Sequence, residues 1–162
     1  MTQPSSDSAR ADHPGVKLPP PFTAAFWLLA GLYSNEKIGY GFSGPAKLWD
    51  GFALILLSIS ALIIVWCFLS FRTHKTTILP HAPNSQLITS GIFLISRNPI
   101  YLAFLLTQTG IAFGLNAPLA LIAVPITAVI FHFRVIKKEE AYLARRFGQA
   151  YLDYKLTTRR WI

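Results

Sequence analysis

Arg97, Asn98 and Pro99 stand in succession, and Glu139 and Glu140 form a carboxylate pair further along the chain. Asn is a favoured N-cap and Pro suits the first helical position, so Asn98 and Pro99 read as a helix start with Arg97 immediately ahead of it. Unpaired N–H groups at such a start attract anions, and Arg97 adds a full positive charge, making a seat for a carboxylate or phosphate. The same three residues also read as an ordinary membrane-entry signal, and residue chemistry alone leaves both readings open. Glu139 and Glu140 lie four and three positions before Leu143, the first of an apolar series with Phe147, Tyr151 and Tyr154 at helical spacing. Both carboxylates therefore extend the apolar stripe. Val135, Ile136, Tyr142 and Leu143 occupy the helical neighbour positions of Glu139, and Glu140 has only Lys137, so helical ion pairing does not account for them. The plainer alternative is two glutamates in a first helical turn, favoured by the dipole.

The elements that must hold these groups are apolar. The chain has 162 residues, 52% hydrophobic and only 14% charged, against about 25% charged in a soluble average. This is the composition of one membrane domain. Its net charge of +8 gathers at the ends of apolar segments and in the C-terminal tail, which fits anionic headgroups and speaks against nucleic acid. The single cysteine, Cys67, excludes an internal disulfide, and His74 and His81 have no nearby carboxylate or thiol to complete a metal site, so no metal is expected.

Residues 1–17, rich in Ser and Pro, read as a disordered tail. Residues 18–162 then form an all-α, polytopic membrane domain with spans expected near 18–34, 51–71, 99–113 and 118–133. The Gly- and Pro-containing stretch 35–47 reads as a loop, and 114–118 as the turn of a tight hairpin. Pro125 should kink the fourth span. From Lys137 the tail 134–162 reads as an amphipathic helix. With four spans, all of the 15 Lys and Arg except Lys37 and Lys47 fall on one side, which places both termini in the cytoplasm.

Two blocks carry a family resemblance. Leu87, Ile88, Thr89, Ser90, Gly91, Ile92 and Phe93, followed by Ser96, Arg97, Asn98, Pro99, Ile100 and Tyr101, resemble the signature of the isoprenylcysteine carboxyl methyltransferases and their phospholipid methyltransferase relatives. Glu139 and Glu140, then Leu143, Phe147, Gly148, Tyr151 and Tyr154, ending in Arg159, Arg160 and Trp161, match a second block in the same order. The resemblance covers the chain from about residue 77 to its end. It implies an integral membrane methyltransferase that uses S-adenosylmethionine, with cofactor contacts at Leu87, Ile88, Gly91, Phe93, Asn98, Pro99, Tyr101 and Glu139.

Within that expectation, Arg97 and the N–H groups after Asn98 can hold the cofactor's carboxylate, while Glu139 or Glu140 takes its ammonium group or ribose hydroxyls. Phe93, Tyr101, Tyr151 or Tyr154 can offer an aromatic face. The chain departs from its relatives in two places: Asn98 stands where many have His, and Val135 stands where they place a basic residue four positions before the first Glu. Arg134, one step off, is the candidate for an anionic substrate group, and with Glu139 completes the expected catalytic pair. The implied acceptor is amphiphilic and membrane-borne, an isoprenylcysteine-type carboxylate by resemblance. A lipid amine, a small thiol, or an inert protein retaining the fold are the alternatives.

Overall fold

The computed structural model describes residues 19–74 and 86–162; the expected tail and His81 lie outside these. The described residues are helical, without strands. Helix α1, Pro20–Ile38, has Pro in its first turn and ends at Gly39, whose N–H bonds Asn35 O with a left-handed φ of 76°. It runs past the boundary expected at residue 34 because Asn35 is a buried clasp. Its Nδ2 donates to Tyr40 O at 2.8 Å, and its Oδ1 accepts the Leu119 N–H at 3.1 Å.

Helix α2, Ala46–Thr73, and helix α3, Pro99–Gly114, pack along one another. Ser60 joins them, donating to Ala103 O at 2.8 Å and sharing a hydrogen bond with Thr107 at 2.7 Å. Buried Gln108 extends the connection, its Nε2 reaching Ala24 O of α1 at 2.8 Å and Thr127 at 2.9 Å. Its Nε2 is thus paired inside the apolar bundle, while its Oε1 is buried without a hydrogen-bond partner.

After the expected turn, with Asn116 at φ 51°, one helical run from Pro118 to Phe147 changes geometry three times. It opens as a 3₁₀ turn, Pro118–Ile122, continues as α4, Ala123–Ile130, loosens into a π-helix, Phe131–Ile136, and resumes as α5, Lys137–Phe147. The 3₁₀ opening agrees with Pro125: lacking an N–H, it leaves Leu121 O without its usual donor, and the turn before it tightens, with Ala123 N–H on Ala120 O.

The expected boundary at residue 133 is absent, and the break falls at Gly148, whose φ 54°, ψ −129° is a glycine conformation. The amphipathic helix expected from Lys137 is therefore two helices, α5 and α6, Gln149–Thr157. Tyr151 and Tyr154 are buried from α6, whereas the most buried side chain of α5 is Tyr142 rather than Leu143 or Phe147.

Two stretches among the described residues are long and apolar enough to cross a membrane, Ala46–Thr73 and Pro118–Phe147. Helix α3, with 16 residues, reaches about 24 Å, short of a hydrocarbon core of about 30 Å.

Close packing of α1 on the hairpin gives a direct test. A Cβ at Gly31 would lie 2.8 Å from Ala120 Cα, while one at Gly51 of α2 would meet nothing within 4 Å. Gly31→Ala should lose about 1 to 3 kcal/mol through overpacking, and Gly51→Ala should gain up to about 1 kcal/mol from helix propensity. Thermal unfolding in detergent reads both; shifts of the same sign would contradict the packing of α1 on Ala120.

Candidate active site

The approach to α3 is a short 3₁₀ turn, Gly91–Leu94, followed by Ser96, Arg97 and Asn98. The C-terminal residues are stitched onto it. Tyr154 OH donates to Phe93 O at 2.6 Å, Arg97 N–H to Arg159 O at 3.0 Å, and both Ser96 Oγ and Asn98 Nδ2 donate to Arg160 O, at 3.3 and 3.0 Å. Asn98 occupies the N-cap position as expected, but its side chain makes no capping bond; its Nδ2 instead donates to Arg160 O, which orients the amide toward the C-terminal segment. Its own N–H turns to Ser96 Oγ at 3.1 Å, and Tyr101 and Leu102 N–H bond Asn98 O. These donors are thereby withdrawn from the anion seat expected at this helix start.

Glu140 is the electrostatic centre. One oxygen accepts from Arg97 Nη2 at 3.0 Å and from Arg160 Nε at 2.9 Å, and the other from Arg160 Nη2 at 2.8 Å. Arg160 thus makes the two-pronged contact that suits a guanidinium to a carboxylate. Burial pushes the Glu140 carboxyl up, but the hydrogen bond and charge of Arg160, then those of Arg97, outweigh it and hold the group below the ordinary carboxylate range. The partner of Glu140 comes from across the fold rather than from its own helix.

Arg97 also donates from Nη1 to Lys155 O and Thr158 O, at 2.9 and 2.8 Å. Both of its terminal nitrogens therefore hold oxygens of the protein itself. Its Nε is buried without a hydrogen-bond partner.

Glu139 behaves differently from its neighbour. Its Oε1 accepts Tyr101 OH at 2.6 Å, joining α5 to the first turn of α3. Burial raises its carboxyl to about 7, the Tyr101 hydrogen bond opposes that rise, and the charge of Glu140 adds to it. The uncharged part of the helical run Pro118–Phe147 ends at Phe133, and Glu139 follows it, in the charged part that begins at Arg134.

A family model for phospholipid methyltransferase matches residues 47–150. The chain belongs to this family. It is similar to protein-S-isoprenylcysteine O-methyltransferase B of Arabidopsis thaliana, 35% identical over 69 residues, and to protein-S-isoprenylcysteine O-methyltransferase A of the same plant, 29% identical over 119 residues. These matches cover 43% and 70% of this chain, and span 35% and 59% of the relatives' lengths.

In this phospholipid methyltransferase family member, Arg97, Asn98, Pro99, Tyr101, Glu139 and Glu140 are gathered at the start of α3. Gly91 packs against Trp66 and Ser70 of α2, and Phe93 sets its ring edge-on to Phe71 at 5.7 Å. Ile88 is buried and Leu87 half-buried on the approach. Arg134 is exposed on the π-helix, and the residue of that turn beside the cluster is His132, 3.4 Å from Arg160 Nη1. His132 and Arg160 carry no sequence-derived role. The only signal for Arg160 is its place in the second resembling block.

Proposed function

We propose that this chain is an integral membrane methyltransferase that draws S-adenosylmethionine from the cytoplasm and methylates an amphiphilic acceptor, foremost an isoprenylcysteine-type carboxylate. The observation that carries this reading is the pairing, in one cluster, of a buried unpartnered donor, Arg97 Nε, with a carboxyl on Glu139 that titrates near neutrality. The two fit a ligand bearing both acceptor oxygens and an ammonium group or hydroxyls. When bound, the cofactor supplies an electrophilic methyl on a cationic sulfur. Glu139 takes the ammonium or the ribose hydroxyls, Tyr101 fixes the rotamer of Glu139, and Glu140 with Arg160 sets the plane of Arg97. A carboxylate or thiolate acceptor needs no general base, so the protein's work is alignment and exclusion of water. The names of the two relatives support the carboxylate, and the charge asymmetry supports cytoplasmic termini.

A lipid amine is the second reading, favoured by the family's description and by Glu139, which can accept a proton from an ammonium near pH 7. Purified protein, methyl-labelled cofactor and a membrane extract separate the two. A methyl ester releases its label as methanol in mild alkali, whereas an N-methyl product keeps it. Folded protein that neither binds S-adenosylhomocysteine nor transfers label would be an inert scaffold.

A further inference from the structure

Helix α6 has apolar side chains on two opposite faces. Tyr151 and Tyr154 point inward, 2% and 8% exposed, while Leu152 and Leu156, one helical turn apart, are 44% and 86% exposed. The Tyr154 hydrogen bond to Phe93 O holds this helix beside the 3₁₀ turn, where Leu94 and Ile95 are also exposed, at 65% and 55%. Two elements distant in sequence, joined by this bond, thus each carry exposed apolar side chains. Lys155 and Arg159 are exposed in the same region. Folding leaves these leucines uncovered by the rest of the chain although the inner face of the helix is already buried.

We propose that the leucine face of α6, with Leu94 and Ile95, lies in the headgroup and acyl boundary of an anionic leaflet, with Lys155 and Arg159 on the lipid phosphates. An exposed apolar strip flanked by basic residues is the pattern of a helix lying in the interface plane. Each basic side chain near an anionic surface adds to its hold. The lipid surface is favoured over a protein partner because Leu94 and Ile95 precede the uncharged segment of α3 and because Lys155 and Arg159 outnumber the one exposed acid of α6, Asp153, which accepts from Gln149 Nε2 at 2.8 Å. The assignment rests on the membrane reading above, and it makes the C-terminal stitch a joint between the cofactor cluster and the bilayer surface.

Nitroxide labels on single cysteines test it, in full-length protein in phosphatidylcholine vesicles with and without phosphatidylglycerol. The labels replace Leu94, Leu152 and Leu156, exposed Ala150 off the leucine stripe, and exposed Leu62 of α2 as the membrane control; protein carrying only buried Cys67 gives the background. At positions 94, 152 and 156 the ratio of oxygen to nickel-chelate accessibility should exceed unity and rise with phosphatidylglycerol; at 150 it should fall below unity. Nickel-accessible labels at 152 and 156 with an oxygen-accessible label at 62 would overturn the surface assignment and leave the membrane reading standing. A nickel-accessible label at 62 would overturn both. Labels at 152 and 156 immobilised and shielded from both reagents would show a protein partner on this face, also overturning the assignment.

Discussion

Glu140→Gln should cost about 3 to 5 kcal/mol of unfolding stability, the usual result of removing one partner from a buried ion pair. The side chains of Arg97 and Glu140 are 8% and 10% exposed and that of Arg160 is 28%, so screening moderates only the Arg160 arm of the cluster. An arginine does not shed its proton in a protein, and a glutamine offers one acceptor oxygen where two guanidinium groups now share two. The damage should spread to residues 158–160, which the same arginine holds through Thr158 O and which bond back to Ser96 and Asn98. The pH dependence has a definite sign. Glu140 has a folded value below its ordinary 4.5, so its contribution is complete above that value and is lost as pH falls through the folded one. Chemical unfolding without ligand should therefore show a large gap between variant and parent at neutral pH that narrows in acid. A neutral-pH loss below about 1 kcal/mol would reduce the cluster to the standing of an exposed bridge.

Glu139→Gln should have the opposite profile, weakening binding of S-adenosylhomocysteine by about ten- to a hundredfold while sparing the fold. A charge-assisted hydrogen bond contributes about 1.5 to 3 kcal/mol, which converts to that range of affinity. The folded carboxyl sits at about 7, above its ordinary 4.5, so its contribution to stability is full below 4.5 and is lost as pH rises through 7. Apo parent protein should lose this contribution across that interval, and the variant should not. Affinity for the ammonium-bearing ligand should run the other way, rising through pH 7 as Glu139 ionises and staying flat in the variant. Tyr101→Phe removes the hydrogen bond that pulls Glu139 down, so it should move the rise to higher pH. Calorimetric titration and apo melting on the same samples decide the matter: a large apo melting loss with unchanged affinity would remove Glu139 from the ligand site.

The difference between these two glutamates was only half legible in the sequence. The apolar stripe and the lack of basic neighbours mark both as unusual, and Pro99 marks the start of α3, because these are local signals at helical spacing. What separates the pair is distant: Arg160, 20 residues beyond Glu140, and Tyr101, 38 residues before Glu139. Spacing on one helix carries no information about side chains that meet only after the bundle closes. The same limit explains Asn98, an N-cap by type whose amide is drawn away by a carbonyl 62 residues later. The break at Gly148 is a different case. A glycine after Phe147 is a recognisable helix stop, and a continuous stripe of aromatic spacing across it concealed the turn.

The C-terminal stitch also sets an order of events during synthesis. Arg160 enters the chain after both of the groups it gathers, the Ser96 and Asn98 side chains and the Glu140 carboxylate, so the cluster cannot close until the segment following α6 has left the ribosome. Segments made earlier can pack first, since folding during translation proceeds from the N-terminus. Until Arg160 arrives, Arg97 and Glu140 lack their full set of partners and the start of α3 is without its clasp. A chain halted short of Arg160 would hold its apolar helices, Arg97 and Glu140, yet lack the contacts that close the cluster, so this joint is completed after the helices that support it.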